Sequence, residues 1–147
     1  MRFVDDNRCF ACGEDNSCGL KLKFYWEDDK YYTDFYTEER FQGYNGILHG
    51  GITSTIMDEI MAQHLTVRGL GILTASMEIR YRKQIPTGVT VRFESWQKEQ
   101  KRNIHVMAAR AILPGGEVAA VATAKFMQSG VISSSESKEA DSGENYA

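Results

Sequence analysis

Only one stretch of this chain carries the periodicity of a long helix, and it limits what the remainder can become. Between residues 47 and 64 the apolar residues Ile52, Ile56 and Ile60 fall four apart, with His64 or Leu65 next in line. The pattern predicts a helix from about Gly50 to Val67, with Gly69 as its stop. Such a helix is roughly 27 Å long, the width of a five- or six-stranded sheet. Everything around it reads with the period of two that marks strands.

Leu20, Leu22, Phe24 and Trp26 alternate with Lys21, Lys23 and Tyr25, and after the polar turn at 27–30 residues 31–36 return as a second strand. A loop, Phe41-Gln42-Gly43-Tyr44-Asn45-Gly46, then leads to the helix. Beyond it Leu73, Ala75, Met77, Ile79 and Tyr81 alternate with Thr74, Ser76, Glu78 and Arg80, which places Thr74 and Ser76 together on the face opposite Tyr81. Val89–Ser95, a strand from Ile104, and Val118–Met127 complete four strands, separated by Pro86-Thr87-Gly88, a charged turn at 97–103 and Pro114-Gly115-Gly116-Glu117. The expected fold is α+β, an antiparallel sheet of five to six strands wrapped around one long central helix. Residues 1–17 read as an irregular lead, 18–128 as the folded domain, and 129–147, dominated by Ser, Glu, Gly, Asp, Lys and Ala, as a disordered tail.

At 147 residues the chain fits one domain with a real core. A net charge of -3 with dispersed Lys and Arg gives no reason to expect nucleic acid, and no apolar run reaches the roughly 20 residues of a bilayer span. Met1-Arg2-Phe3-Val4-Asp5-Asp6 lacks the apolar centre of a signal peptide, so a cytoplasmic location with no membrane partner is expected. The three cysteines, Cys9, Cys12 and Cys18, argue against a disulfide framework in a reducing compartment. Cys9-Phe10-Ala11-Cys12-Gly13 is the first half of a zinc-knuckle spacing, but no second Cys-x-x-Cys follows and His49 and His105 are remote, so small side chains in a turn, with no metal and no cofactor, are expected.

The chemistry concentrates at the helix start. His49-Gly50-Gly51 offers a backbone with two residues lacking Cβ where unpaired N–H groups and the positive end of the helix dipole meet a ligand oxygen. Asp58 follows His49 by nine residues, about two and a half turns along, among apolar neighbours. By themselves these features also read as a tight turn and a solvated helix position like Glu59.

The run Gly46-Ile47-Leu48-His49-Gly50-Gly51 with Asp58 resembles the signature of hotdog-fold acyl-CoA thioesterases of the PaaI-like, phenylacetate-pathway type. Cys9-Phe10-Ala11-Cys12-Gly13 with Asn16 and Gly19-Leu20 is similar to an N-terminal segment of one branch of that family. The resemblance implies hydrolysis of an acyl-CoA thioester to free acid and coenzyme A by a homodimer, or a tetramer of dimers, with active sites at the interface. It implies the Gly50 N–H as oxyanion donor and Asp58, from the other subunit, as general base or nucleophile. His49 matches the residue that orients loop and substrate, and Thr74 the Ser or Thr that places the water. Family members often carry Asn or Gln where Gly43 stands, so Gln42 or Asn45 is the expected substitute, and Tyr44, Gly51 and Met61 join the expected substrate-binding set. The direction of any pKa shift at Asp58 is open at this level, as is the acyl group. A non-catalytic acyl-CoA binding protein and a hotdog-fold dehydratase are the alternatives.

Overall fold

The computed structural model describes residues 2–134. Its elements are β1 (Arg2–Asp5), β2 (Tyr25–Glu27), β3 (Lys30–Tyr36), a 3-10 turn (Glu39–Phe41), α1 (Gly50–Thr66), β4 (Leu70–Tyr81), β5 (Thr90–Lys101), β6 (Ile104–Ile112) and β7 (Val118–Ser134). The strands form one sheet in the order β1-β7-β6-β5-β3-β2, with β4 on the other side of β7. All pairings are antiparallel except β1 with β7.

Cross-strand partners share a face, so the registers identify the residues that meet the helix. Thr33, Phe93, Ala111 and Ala120 form one such row, and Tyr31, Ser95, Ala109 and Ala122 the next. The inward positions of β6 and β7 include Met107, Ala109, Ala111, Ala120, Ala122, Ala124 and Phe126, all buried. Alanine at most of these sites lets the helix lie close to the sheet. From the helix, Ile56, Met57, Ile60, Met61 and Leu65 are fully buried against that surface. Burying each such side chain is worth roughly 1.5–3 kcal/mol, which makes this interface the main source of stability.

Five expectations change. β2 covers only two of the seven residues that alternate, Tyr25 and Trp26. Leu20 and Leu22 are buried as the pattern requires, but their N–H groups bond to Phe10 O and Ala11 O, and Lys21 takes a positive φ of 54°, so this segment is sewn to the lead rather than to β3. The lead itself is ordered: β1 pairs with β7 from Val131 to Ser134, and Gly71 leaves room for Phe3, since a Cβ there would lie 2.6 Å from Phe3 Cδ2. β7 accordingly continues through 129–134, where a tail was expected, because β1 and β4 satisfy its backbone. The expected tail from 135 to 147 lies outside the described residues. Third, β5 runs on through the charged residues to Lys101, and the turn shrinks to Arg102 and Asn103.

The fourth change bears on chemistry. A register shift between Thr74 and Ser76 pairs Thr74 with Phe126 but Ser76 with Lys125. This bulge at Ala75 puts Thr74 on the helix-facing side with Met77, Ile79 and Tyr81, and Ser76 on the outer side, instead of leaving the two hydroxyls together.

The fifth concerns the end of the apolar ladder, where His64 and Leu65 stood as alternatives: both lie in the core, His64 at 2% exposure. Ser95 donates its hydroxyl proton to Ile60 O at 3.1 Å, so it accepts from His64 Nδ1–H, also at 3.1 Å, which fixes the tautomer. Trp26 and Tyr31 pack on the ring edge-on. Burial, with Arg68 nearby, lowers the His64 pKa from 6.5 to about 4. A depressed histidine favours folding above its unfolded pKa, and that contribution is lost as pH falls through the folded value. Unfolding midpoints in urea should therefore drop between pH 6.5 and about 4, and His64→Gln should flatten that slope; an unchanged slope would remove His64 from the account.

Candidate active site

The loop before the helix is held by its own backbone. Gly43 N–H donates to Ile47 O at 2.8 Å, His49 N–H to Phe41 O at 2.9 Å and Leu48 N–H to Ile85 O at 2.8 Å. Gly46 sits at φ +77°, and its N–H donates to the Gln42 carboxamide at 3.2 Å. Gln42 thus braces the turn. Gly43 packs beneath His49, with its Cβ position 3.5 Å from the imidazole Cδ2. Asn45 is exposed, and Tyr44 is 86% exposed.

His49 is the N-cap of α1: its Nδ1 accepts the Gly51 N–H at 2.8 Å. Gly51 is therefore occupied by the cap, and the open donor is Gly50, whose N–H reaches no acceptor among the described residues. Gly50 O accepts from Ser54 Oγ and Tyr81 OH, both at 3.0 Å, and these two hydroxyls are themselves 2.5 Å apart. A cleft of about 270 Å³ opens here, lined by Gly50, Ile47, Tyr81, Arg82 and Lys83 among others. Gln42, His49 and Gly51 face a separate cleft with Arg40 and Ile52.

Asp58 follows Ser54 by one turn on the same flank of α1. It is half-buried, and Thr74 Oγ1 donates to its Oδ1 at 2.9 Å. Burial pushes the Asp58 carboxyl above the usual carboxylate range, and the Thr74 hydrogen bond only partly offsets that. Eight residues of helix separate Asp58 from Gly50, about 12 Å at 1.5 Å per residue. One chain thus brings Asp58 and Thr74 together, and Gly50 and Tyr81 together, but not the two pairs. Met61 lies in the core with no exposed surface, because position 61 belongs to the helix stripe facing the sheet, so it does not line a site as expected.

Several residues escaped the sequence reading. Tyr81 and Ser54 hold the first carbonyl of the helix, and Thr74 meets Asp58 only through the bulge. Glu59, expected to be solvated, is half-buried: Gln63 Nε2 donates to its Oε1 at 3.1 Å, and Cys9 Sγ lies 3.7 Å from the same oxygen. Burial, with Glu59 alongside, pushes the Cys12 thiol far up. Nothing in the spacing of Cys9, Cys12 and Glu59, fifty positions apart, announces their meeting.

With this geometry in hand, the sequence pattern of the thioesterase superfamily matches residues 45–120. No curated protein matches. Among solved structures, a thioesterase superfamily protein superposes with a TM-score of 0.77 at 16% identity, over 83% of this chain; the chain spans 61% of that protein's length. The PaaI protein from the phenylacetic acid degradation operon of E. coli gives 0.74 at 15% identity, over 82% of this chain and 90% of its own. A hypothetical thioesterase from Streptococcus pneumoniae, solved with coenzyme A, gives 0.69 at 21%, over 76% and 88%. Two further structures of a hypothetical thioesterase from that bacterium carry, singly, an aspartate-to-alanine and a threonine-to-alanine substitution sixteen positions apart. These likenesses give the fold, which is the hotdog arrangement of a sheet around a central helix.

The raised carboxyl at Asp58 has a consequence for stability. A group whose pKa rises on folding stabilises the fold only while protonated, so its contribution is lost as pH increases through the folded value. Asp58→Asn, which keeps an acceptor for Thr74, should raise the melting temperature at neutral pH, with the gain shrinking as pH falls toward 3.8. A loss of stability at neutral pH would contradict the desolvation argument.

Proposed function

The chain belongs to the thioesterase superfamily, and from that premise we propose that it hydrolyses acyl-CoA thioesters to the free acid and coenzyme A. The observation that carries this reading is the Thr74–Asp58 pair: a half-buried carboxylate with raised pKa, one oxygen held by a hydroxyl, is suited to taking a proton from water. Thr74 follows Asp58 by sixteen positions, the separation of the aspartate and threonine replaced in the S. pneumoniae structures.

The thioester carbonyl binds at the helix start, where the Gly50 N–H and the helix dipole stabilise the oxyanion. His49 presets this donor by capping Gly51, and Tyr81 and Ser54 hold the Gly50 carbonyl away from it. Arg82 and Lys83 flank the cleft and suit the phosphates of the coenzyme. Water attacks the carbonyl carbon as the carboxylate takes its proton. The tetrahedral intermediate then collapses, the carbon–sulfur bond breaks, and the thiol leaves with that proton. Attack by the carboxylate itself, giving a mixed anhydride hydrolysed in a second step, uses the same residues.

The separation of about 12 Å between Gly50 and Asp58 favours a site whose two halves come from two copies. The surface of the chain favours this assembly. Among the described residues β4 pairs only with β7, and Leu73, Met127, Val131 and Tyr81 on these strands are exposed large hydrophobics. In a homodimer built on this edge the partner's Asp58 faces Gly50, and two dimers give a tetramer. A cytoplasmic location accords with an acyl-CoA substrate.

Thiol release from a panel of aromatic, short, medium and long acyl-CoAs tests the activity. Asp58→Asn should lower kcat at least about a hundredfold with little change in KM, and Thr74→Ala about tenfold or more. Retention of acyl-CoA without product over hours would instead make the protein a binding module. Specific activity should fall on dilution in step with dissociation of the dimer, and a fully active monomer would refute the shared site.

A further inference from the structure

The turn Cys9-Phe10-Ala11-Cys12-Gly13 packs on α1 one residue beyond Asp58. Cys9 Sγ, Cys12 Sγ and a Glu59 carboxylate oxygen all lie within 4.8 Å of one another. Cys9 Sγ stands 3.7 Å from Glu59 Oε1, and Gln63 Nε2 reaches both Glu59 Oε1 at 3.1 Å and Cys12 Sγ at 3.6 Å. All three candidate ligands are half-buried. The turn is shaped tightly: Gly13 N–H donates to Cys9 O at 2.8 Å, and a Cβ on Gly13 would come within 2.5 Å of both Asn7 O and Cys9 N. Two thiols and a carboxylate converging from segments fifty residues apart have little to gain from one another by themselves, since S–H is a weak donor. In a tetrahedral zinc site, ligand atoms stand roughly 3.5–4 Å apart, the separation seen here between Cys9 and Glu59.

We propose that Cys9, Cys12 and Glu59 bind one divalent ion of the zinc class. Two thiolates select a borderline-soft ion over magnesium or calcium. Both thiols release their protons to solvent on binding, and Glu59 binds as the carboxylate. Gln63, at hydrogen-bonding distance from Glu59 and Cys12, orients two of the ligands. The fourth position faces a cleft of about 530 Å³ lined by Asp5, Asp6, Arg8 and Thr74 among others, and is taken by water. This supplies what the sequence reading lacked: the knuckle's further protein ligand is a carboxylate on the helix, not a second cysteine pair. The ion clamps the N-terminal segment to α1 beside Asp58, and so sets the backdrop of the Thr74–Asp58 pair. The proposal stands whatever reaction the domain catalyses.

The test uses the full chain purified in reductant without chelator, metal analysis by mass spectrometry, and titration of chelator-stripped protein with Zn2+ and Co2+. Expected are about one zinc per chain, sulfur-to-cobalt charge-transfer absorption with the intense visible bands of tetrahedral cobalt, and a higher melting temperature with zinc. Cys12→Ser should weaken zinc binding at least about a hundredfold and reduce the charge-transfer band. Glu59→Gln should weaken binding about tenfold or more while keeping that band, and Cys18→Ser should change nothing. Absence of the cobalt bands in stripped wild-type protein overturns the proposal. So does metal content indifferent to both ligand substitutions, or a Cys9–Cys12 disulfide that persists in reductant. Should Cys12→Ser not fold, the wild-type cobalt spectrum and Glu59→Gln decide.

Discussion

The contact between the apolar stripe of α1 and the alanine-lined side of β6 and β7 is the constraint on which the rest depends. Ile56, Ile60, Met57, Met61 and Leu65 must be covered, and a sheet can approach a helix closely along its whole length only if the facing positions are small. That requirement fixes the rotation of the helix about its own axis. Once the stripe points at the sheet, Ser54, Asp58 and Glu59 have no freedom of direction. They emerge along the flank beside β4, where each finds a polar neighbour: Tyr81, Thr74, and Gln63 with Cys9. The polar chemistry of the protein is a by-product of how its apolar stripe is satisfied.

Two kinds of positioning then divide the work at the helix. The backbone end is set locally, by His49 capping Gly51 and by the loop that Gln42 braces, so its geometry is robust and encoded within a dozen residues. The carboxylate end is set at long range, by Thr74 from β4 and, through Glu59, by the lead. Partial removal of Asp58 from water keeps its proton affinity high, which suits a base and works against the fold at neutral pH.

How far these features could be read from residues alone follows the same division. Helix limits, the loop and the strands after the helix were legible, because period and glycine placement are local signals. Misreadings occurred where contacts at long range overrode local pattern. Leu20 to Phe24 alternate like a strand yet bond to the lead, and Arg2–Asp5 carries no strand signature until β7 offers it an edge. Met61 looked like a pocket residue because sequence gives helical phase only approximately. Glu59 looked solvated because its partners are far away in the chain. Among the described residues no short-range rule would have found them.

The bulge at Ala75 works as a change of phase. A strand is a ruler with two sides, and one unpaired residue exchanges those sides for everything beyond it. Toward Tyr81 the ruler is read by the sheet, which sets Met77 and Ile79 inward. Toward Leu70 it is read by the helix flank, which receives Thr74. Were Ala75 instead to take a regular place in the ladder, Thr74 would turn outward and the methyl group of Ala75 would stand opposite Phe126, beside Asp58. Deleting Ala75 would leave Thr74 opposite Phe126 and Ser76 opposite Lys125, with the same faces as before. The hydrogen bond to Asp58 thus answers to the register of β4 rather than to its length.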